Sequence, residues 1–210
     1  MRRGVLAARR AMDPGERERA GAAVSGILSG LPWAAGGRTV ACYYSVGTEP
    51  DTRGLITVLW ERGTRVLLPV FLPDGNLDWA AYDGPGSLEP AGHGLVEPTG
   101  PRHGRGALAA VDAVVCPALA VDRSGGRLGR GAGCYDRALS LRGPGRPAVA
   151  VVYDDEFVDS VPGEEHDLRV DAVVVPSGLH VFAPGAQPGL EPPRRALRAG
   201  KRDGAAGTRD

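Results

Sequence analysis

The sequence predicts an α/β fold built around a mainly parallel sheet, on three observations. Between residues 38 and 70 an apolar strand, an amphipathic helix and a second apolar strand follow one another, the β-α-β order that builds parallel sheets. Two further apolar runs enter from an aspartate in nearly the same sequence, Val111-Asp112-Ala113-Val114-Val115-Cys116-Pro117 and Val170-Asp171-Ala172-Val173-Val174-Val175-Pro176. Between them a glycine-rich segment leads from a strand into a helix, the order in which α/β proteins meet phosphate groups.

Taken from the start, Val5 to Met12 reads as a short basic helix, with Arg2, Arg3, Arg9 and Arg10 around it. Asp13-Pro14-Gly15-Glu16 then sets an N-cap aspartate before a proline at the first helical position, with a glutamate three residues on. That pattern starts a helix, which runs to about Leu28. Arg38 to Ser45 is β-branched and aromatic, bounded by Gly36-Gly37 and Gly47, and reads as the first strand. Thr52 to Arg62 carries Leu55, Ile56, Leu59 and Trp60 at helical spacing and closes at Gly63. Arg65 to Val70 follows as the second strand.

Residues 72 to 106 are rich in Pro, Gly and Asp and read as long loops, with Leu77 to Tyr82 as a hairpin or edge strand. Pro147 to Tyr153 joins the two echoing runs as a third central strand. The echo is too short for a repeat architecture; two buried strands entering from an aspartate account for it. Apolar periodicity stops after Pro176. Residues 183–210 are dominated by Gly, Pro, Arg and Ala and read as a disordered polar tail, leaving residues 1–182 as one catalytic domain.

Composition excludes several function classes. Twenty-five basic and 25 acidic residues leave no net charge and no basic block suited to nucleic acid. No apolar run approaches the roughly 18 residues of a membrane span, and Met1 to Met12 lack the apolar stretch of a secretory signal, so the cytoplasm is expected. Cys42, Cys116 and Cys134 are widely spaced and form no C-x-x-C pair; they read as reduced thiols. The single lysine, Lys201, lies in the tail, which leaves no P-loop or Schiff-base lysine in the fold. A small-molecule partner is expected, for a monomer or weak homodimer.

The chemistry centres on Asp122-Arg123-Ser124-Gly125-Gly126-Arg127-Leu128-Gly129-Arg130-Gly131-Ala132-Gly133-Cys134-Tyr135-Asp136-Arg137. Alternating glycines let consecutive backbone N–H groups turn toward one anion, and the following helix, Tyr135 to Leu141, adds its positive end. Arg127 and Arg130 supply the charge a lysine would otherwise bring. Asp136 sits in the first helical turn, where a carboxylate either holds Mg²⁺ against phosphates or stabilises the helix dipole. Glu164-Glu165-His166-Asp167 gathers acidic groups before the last strand, with Asp167 as a second magnesium candidate and His166 as a surface residue. Glu49, with Asp51 and Thr52, follows the first strand at the mouth of the sheet. Asp51 or Thr52 suits the cap of the next helix, whereas Glu49 reads equally as a solvated carboxylate and as a ligand acceptor. Tyr43 and Tyr44 alternate, so one faces the core and the other a layer or pocket.

With these features in place, the chain resembles the 5-formyltetrahydrofolate cyclo-ligase family over nearly everything from Arg2 to Val175. The resemblance rests on R-L-G-x-G-x-G-x-Y-D-R at Arg127 to Arg137, E-x-D-T at Glu49 to Thr52 and E-x-H-D-x-x-x-D at Glu164 to Asp171. It implies a three-layer α/β sandwich of the ribose-phosphate isomerase and CoA-transferase group, with ATP and Mg²⁺ as cofactors and a folate as substrate. The implied nucleotide contacts are Arg2, Arg127, Leu128, Gly129, Arg130, Gly131, Ala132, Gly133, Cys134 and Tyr135. Folate contacts fall on Tyr44, Glu49 and Arg130 to Cys134, and magnesium on Asp136 and Asp167.

Two positions depart from the family pattern: Cys134 stands where tyrosine is common, and Ala132 where lysine or glycine is. The pattern also has a lysine about one turn before the arginine matching Arg2; either the true start lies upstream of Met1, the favoured expectation, or ATP is held by arginines alone. The implied reaction phosphorylates the formyl oxygen of 5-formyltetrahydrofolate, after which N10 closes the ring, with Arg130 stabilising the transferring group. A second reading, a nucleotide- or folate-binding relative without turnover, stands on Cys134 and the short N-terminus. A sugar-phosphate isomerase is a weaker rival reading, because this sequence supplies no acid/base pair beyond the acidic loop.

Overall fold

Seven strands make the main sheet: β1 (Thr39–Cys42), β2 (Arg65–Phe71), β3 (Leu77–Ala81), β4 (Ala113–Pro117), β5 (Ala148–Val151), β6 (Ala172–Val175) and β7 (Gly178–Val181). Their order is β7-β6-β5-β4-β1-β2-β3. The inner five run parallel, and β3 and β7 close the two edges antiparallel. In this computed structural model the described residues are 1–163, 168–182 and 189–190, with His93 described by its backbone alone. Glu164, Glu165, His166 and the magnesium candidate Asp167 lie outside them, as do residues 183–188 and 191–210 of the expected tail.

The helices are α1 (Arg2–Ala11), α2 (Pro14–Ser29), α3 (Arg53–Glu61) and α4 (Cys134–Leu139). Asp13 caps α2 as its sequence predicts, accepting from the Glu16 amide at 3.1 Å. β4, β5 and β6 are buried at nearly every position, which is why they read as unbroken apolar runs: strands covered on both faces need no alternation. The aspartates of the two echoing segments share one structural job. Asp112 Oδ2 accepts the Thr39 amide at the start of β1, at 2.9 Å, and Asp171 Oδ2 accepts the Ala148 amide at the start of β5, at 2.8 Å. Each satisfies the first donor of a neighbouring parallel strand, where the ladder has no partner yet.

Three expectations change. The stretch 72–106 is more ordered than a loop, holding β3 and a two-stranded ribbon, Leu88–Pro90 with Val96–Pro98. Strand β7 follows Pro176 directly. Its residues Gly178, Leu179, His180 and Val181 are half-buried or exposed, so an edge strand formed there without the apolar run that marks a central one. Leu190, inside the segment read as a polar tail, is buried in the core at 2 % exposure, and its neighbour Gly189 packs beside Trp33.

After β1 the chain moves to β2, and after β4 it moves the other way to β5. The reversal leaves a crevice above the carboxyl ends of β1 and β4, where open α/β sheets bind ligands.

Candidate active site

A cavity of about 490 Å³ occupies that crevice, within the size range of small-molecule sites. Its floor is Tyr43 and Tyr44 after β1 and Pro117, Ala118 and Leu119 at the end of β4. Phe71 at the end of β2 and Leu95 to Glu97 of the ribbon form one side, and Arg127 to Asp136 the other.

The β1–α3 connection is fixed by short hydrogen bonds. Thr52 Oγ1 donates to the Tyr43 carbonyl at 2.7 Å and accepts the Ser45 amide at 3.1 Å. Thr52 holds the N-cap position of α3 without a side-chain capping bond, and Asp51 before it accepts the Arg53 amide at 3.1 Å and the Ser45 hydroxyl at 2.6 Å. Burial favours the neutral carboxyl, but the bonds from Arg53 and Ser45 outweigh it and hold Asp51 below the usual carboxylate range. Glu49 closes the turn ahead of it: Oε2 accepts the Val46 amide at 3.0 Å. Spacing alone shows no such local role for Glu49. Its other oxygen, Oε1, meets Arg130 Nη2 at 3.0 Å, so one carboxylate joins the two loops that face each other over the cavity. Tyr43 is the core-facing tyrosine, its hydroxyl donating to the Pro50 carbonyl at 2.8 Å, while Tyr44 is half-buried at the cavity edge.

The glycine segment begins with a strand, Arg127–Leu128, paired to Ala120–Asp122. Asp122 organises the turn between them, accepting the Ser124 and Gly126 amides at 2.9 Å each. Gly131 and Gly133 then take φ of 106° and 65°, values that side chains with Cβ rarely adopt. A Cβ on Gly133 would also stand 2.9 Å from Arg137 Nη1.

Arg127 is not free to project into the cavity. Its side chain is 3 % exposed, and Nη2 binds Asp136 Oδ1 at 2.5 Å, so the expected phosphate and magnesium residues partly neutralise each other. Arg127 Nε and the Tyr135 hydroxyl are buried without a partner among the described residues, and both residues line the cavity. Unpaired buried donors are uncommon and call for a ligand or water. The helix after the loop is shorter than its sequence suggested, six residues from Cys134 to Leu139, so its dipole adds little and the arginines carry most of the positive charge. The three cysteines are free thiols; burial pushes Cys116 up to about 11, leaving it protonated and a poor nucleophile.

Against this geometry stand the comparisons with known proteins. The model of the 5-formyltetrahydrofolate cyclo-ligase family matches residues 1–176.

The chain belongs to this family.

Among curated cyclo-ligases, that of Mycolicibacterium smegmatis is 43 % identical over 181 residues, covering 84 % of this chain and 92 % of the relative. The Escherichia coli K12 protein is 34 % identical over 172 residues, covering 80 % and 94 %. The NMR structure of Aquifex aeolicus 5,10-methenyltetrahydrofolate synthetase superposes with a TM-score of 0.75 at 27 % identity, covering 88 % of this chain and 92 % of that one. The mixed α/β architecture with its large, mostly parallel sheet is thus similar to a solved synthetase fold.

Of the residues a cyclo-ligase site is expected to use, Arg2, Tyr44, Glu49 and all of Arg127 to Asp136 line the one cavity; Asp167 lies outside the described residues. Sequence reasoning missed Phe71, the ribbon residues Leu95 to Glu97 and the Pro117 to Leu119 wall. Glu97 could not be found from spacing, because its carboxylate reaches the Phe71 amide at 2.9 Å across 26 residues. Among the described residues no helix is long and apolar enough to cross a membrane.

Proposed function

We propose that this chain converts 5-formyltetrahydrofolate to 5,10-methenyltetrahydrofolate in a ring closure that depends on ATP and Mg²⁺. Family membership makes it an enzyme, a cyclo-ligase; the cofactors, the route and the residue roles are the finer reading. The observation that carries it is the meeting of the glycine loop and the Glu49 loop over one cavity, where Arg130 and Glu49 are 3.0 Å apart. A phosphate cradle and a carboxylate acceptor for a ring amine stand within reach of one bound pair of substrates.

The residues present fit a polyphosphate. The Cβ position of Gly131 is open except for the Arg2 guanidinium 4.0 Å away, and Arg127 Nε is a buried donor without a partner among the described residues. Mg²⁺ has a thinner set among the described residues: no group of three candidate ligands occurs. Asp136 offers one carboxylate, through the oxygen that Arg127 does not hold, which suits an ion bound largely by phosphates and water.

In this reading Arg2, Arg130 and the backbone of Gly129 to Gly133 hold the phosphates, Asp136 and Asp167 the cation, and Tyr44 and Glu49 the folate. ATP supplies the phosphoryl group that activates the formyl oxygen, and attack by N10 expels phosphate. Arg130 stabilises the charge that develops during transfer, which is where positioning and electrostatics do most in phosphoryl chemistry. The finer fold group, a three-layer sandwich like ribose-phosphate isomerase and the CoA-transferases, belongs to the same proposal, as does a cytoplasmic location.

The test is direct. The protein is incubated with 5-formyltetrahydrofolate, ATP and Mg²⁺, and methenyl absorbance is followed. Growth of that band only when all three are present supports the reading; binding of both ligands without it would make the chain a non-catalytic relative.

A further inference from the structure

Helix α1 carries a residue that the proposed chemistry does not use. Arg9 is 1 % exposed, yet it lies on a ten-residue helix that contributes nothing to the main core cluster. Its Nε and Nη2 hold the two oxygens of Glu156 at 2.7 and 2.8 Å, and Nη2 also donates to the Ala118 carbonyl at 2.7 Å. Glu156 in turn accepts the Tyr153 amide at 2.8 Å. Charge-assisted forks of this kind fix orientation as well as position.

The remainder of α1 has one purpose-built face. Arg2, Val5, Leu6 and Arg9 are spaced at one helical face. Val5 and Leu6 pack on Leu119, Ala120 and Leu128, a small cluster separate from the main core. Arg2, at the first turn, donates from Nε to the Gly129 carbonyl at 2.9 Å. A helix this short is marginal in water on its own, so its place depends on these anchors, and Arg9 is the buried one.

We propose that Arg9 is a positioning residue: its pair with Glu156 sets the register of α1 and so places Arg2 at the glycine loop. The inference rests on the reading of that loop as the phosphate cradle. Arg9 acts on the loop through Arg2 and touches no substrate itself.

The experiment uses the full chain with Arg9→Met, Arg2→Ala and the double variant. In the ligand-free protein, hydrogen exchange of the α1 amides should quicken about tenfold or more in Arg9→Met, with sheet amides still protected and Arg2→Ala close to wild type. The KM for ATP should rise about tenfold in Arg9→Met with kcat nearly kept, and adding Arg9→Met to Arg2→Ala should raise it no further. An equal rise in both backgrounds, or α1 exchange unchanged from wild type, overturns the proposal. Should Arg9→Met not fold, Arg9→Lys keeps the charge and loses the fork; it should show the same pattern at smaller size, and unchanged exchange there also overturns it. Wild-type turnover that ignores ATP would instead remove the reading of the loop, while the exchange comparison still decides whether Arg9 fixes α1.

Discussion

Arg130 Nη2 stands 3.0 Å from Glu49 Oε1, an ion pair between the loop that follows β1 and the glycine loop that follows β4, two segments brought together only above the sheet. The arginine is half-exposed and the carboxylate nearly buried. Each therefore has a partner of opposite charge across the cavity.

Arg130→Ala should lower kcat by about two orders of magnitude, the scale of removing one electrostatic donor at a transferring group. Methenyl absorbance measured at saturating ATP and folate checks this. Wild-type turnover would remove Arg130 from the mechanism.

Glu49→Gln keeps an acceptor for the Val46 amide and loses the charge opposite Arg130. The KM for the folate should rise about tenfold, as expected when a charged hydrogen-bond partner becomes neutral, with little change in thermal stability. A fall in Tm with unaltered KM would assign Glu49 to the turn alone.

Asp136→Asn should raise the Mg²⁺ concentration for half-maximal activity by about tenfold or more. It also removes the negative charge that faces buried Arg127, so Tm should drop by about 2–4 °C. A magnesium titration superposable on wild type, with the Tm loss present, would leave Asp136 a structural role.

Asp122 links stability to pH. Burial alone would raise its pKa, but hydrogen bonds from Ser124 and from the Gly126 and Val161 amides outweigh burial and depress it. A carboxylate depressed in the folded state stabilises it above the unfolded value, near about pH 4, and loses that contribution as pH falls through the folded value. Asp122→Asn should therefore lower Tm at pH 7 and converge on wild type in acid. Parallel Tm curves across pH would show that these bonds do not discriminate between the charged and neutral forms.

Much of the site was legible because glycine, arginine and aspartate leave marks at fixed spacing. The run from Arg127 to Asp136 could be read as a ligand loop since nothing else in the chain alternates glycine so tightly. What spacing could not reveal is which charges would satisfy each other. Arg127 and Asp136 are nine apart and looked like separate ligands for an anion and a cation, whereas strand pairing turns Arg127 inward onto the carboxylate. Strand β7 escaped notice for a related reason: an edge strand needs backbone partners more than apolar side chains, and its partner β6 became visible only in the assembled sheet.

By itself the sequence determined the central strands and the helices between them, the cap at Asp13 and the identity of the loop that faces the cavity. These are local properties, set by backbone freedom, periodicity and side-chain chemistry within a few residues. Tertiary structure alone decided that Glu49 meets Arg130, that Phe71 and the ribbon wall the cavity, and that Arg9 is sealed against Glu156 across 147 residues. Such pairings follow from strand order and chain reversal, which bring distant segments together above the carboxyl ends of the strands and which no local pattern encodes.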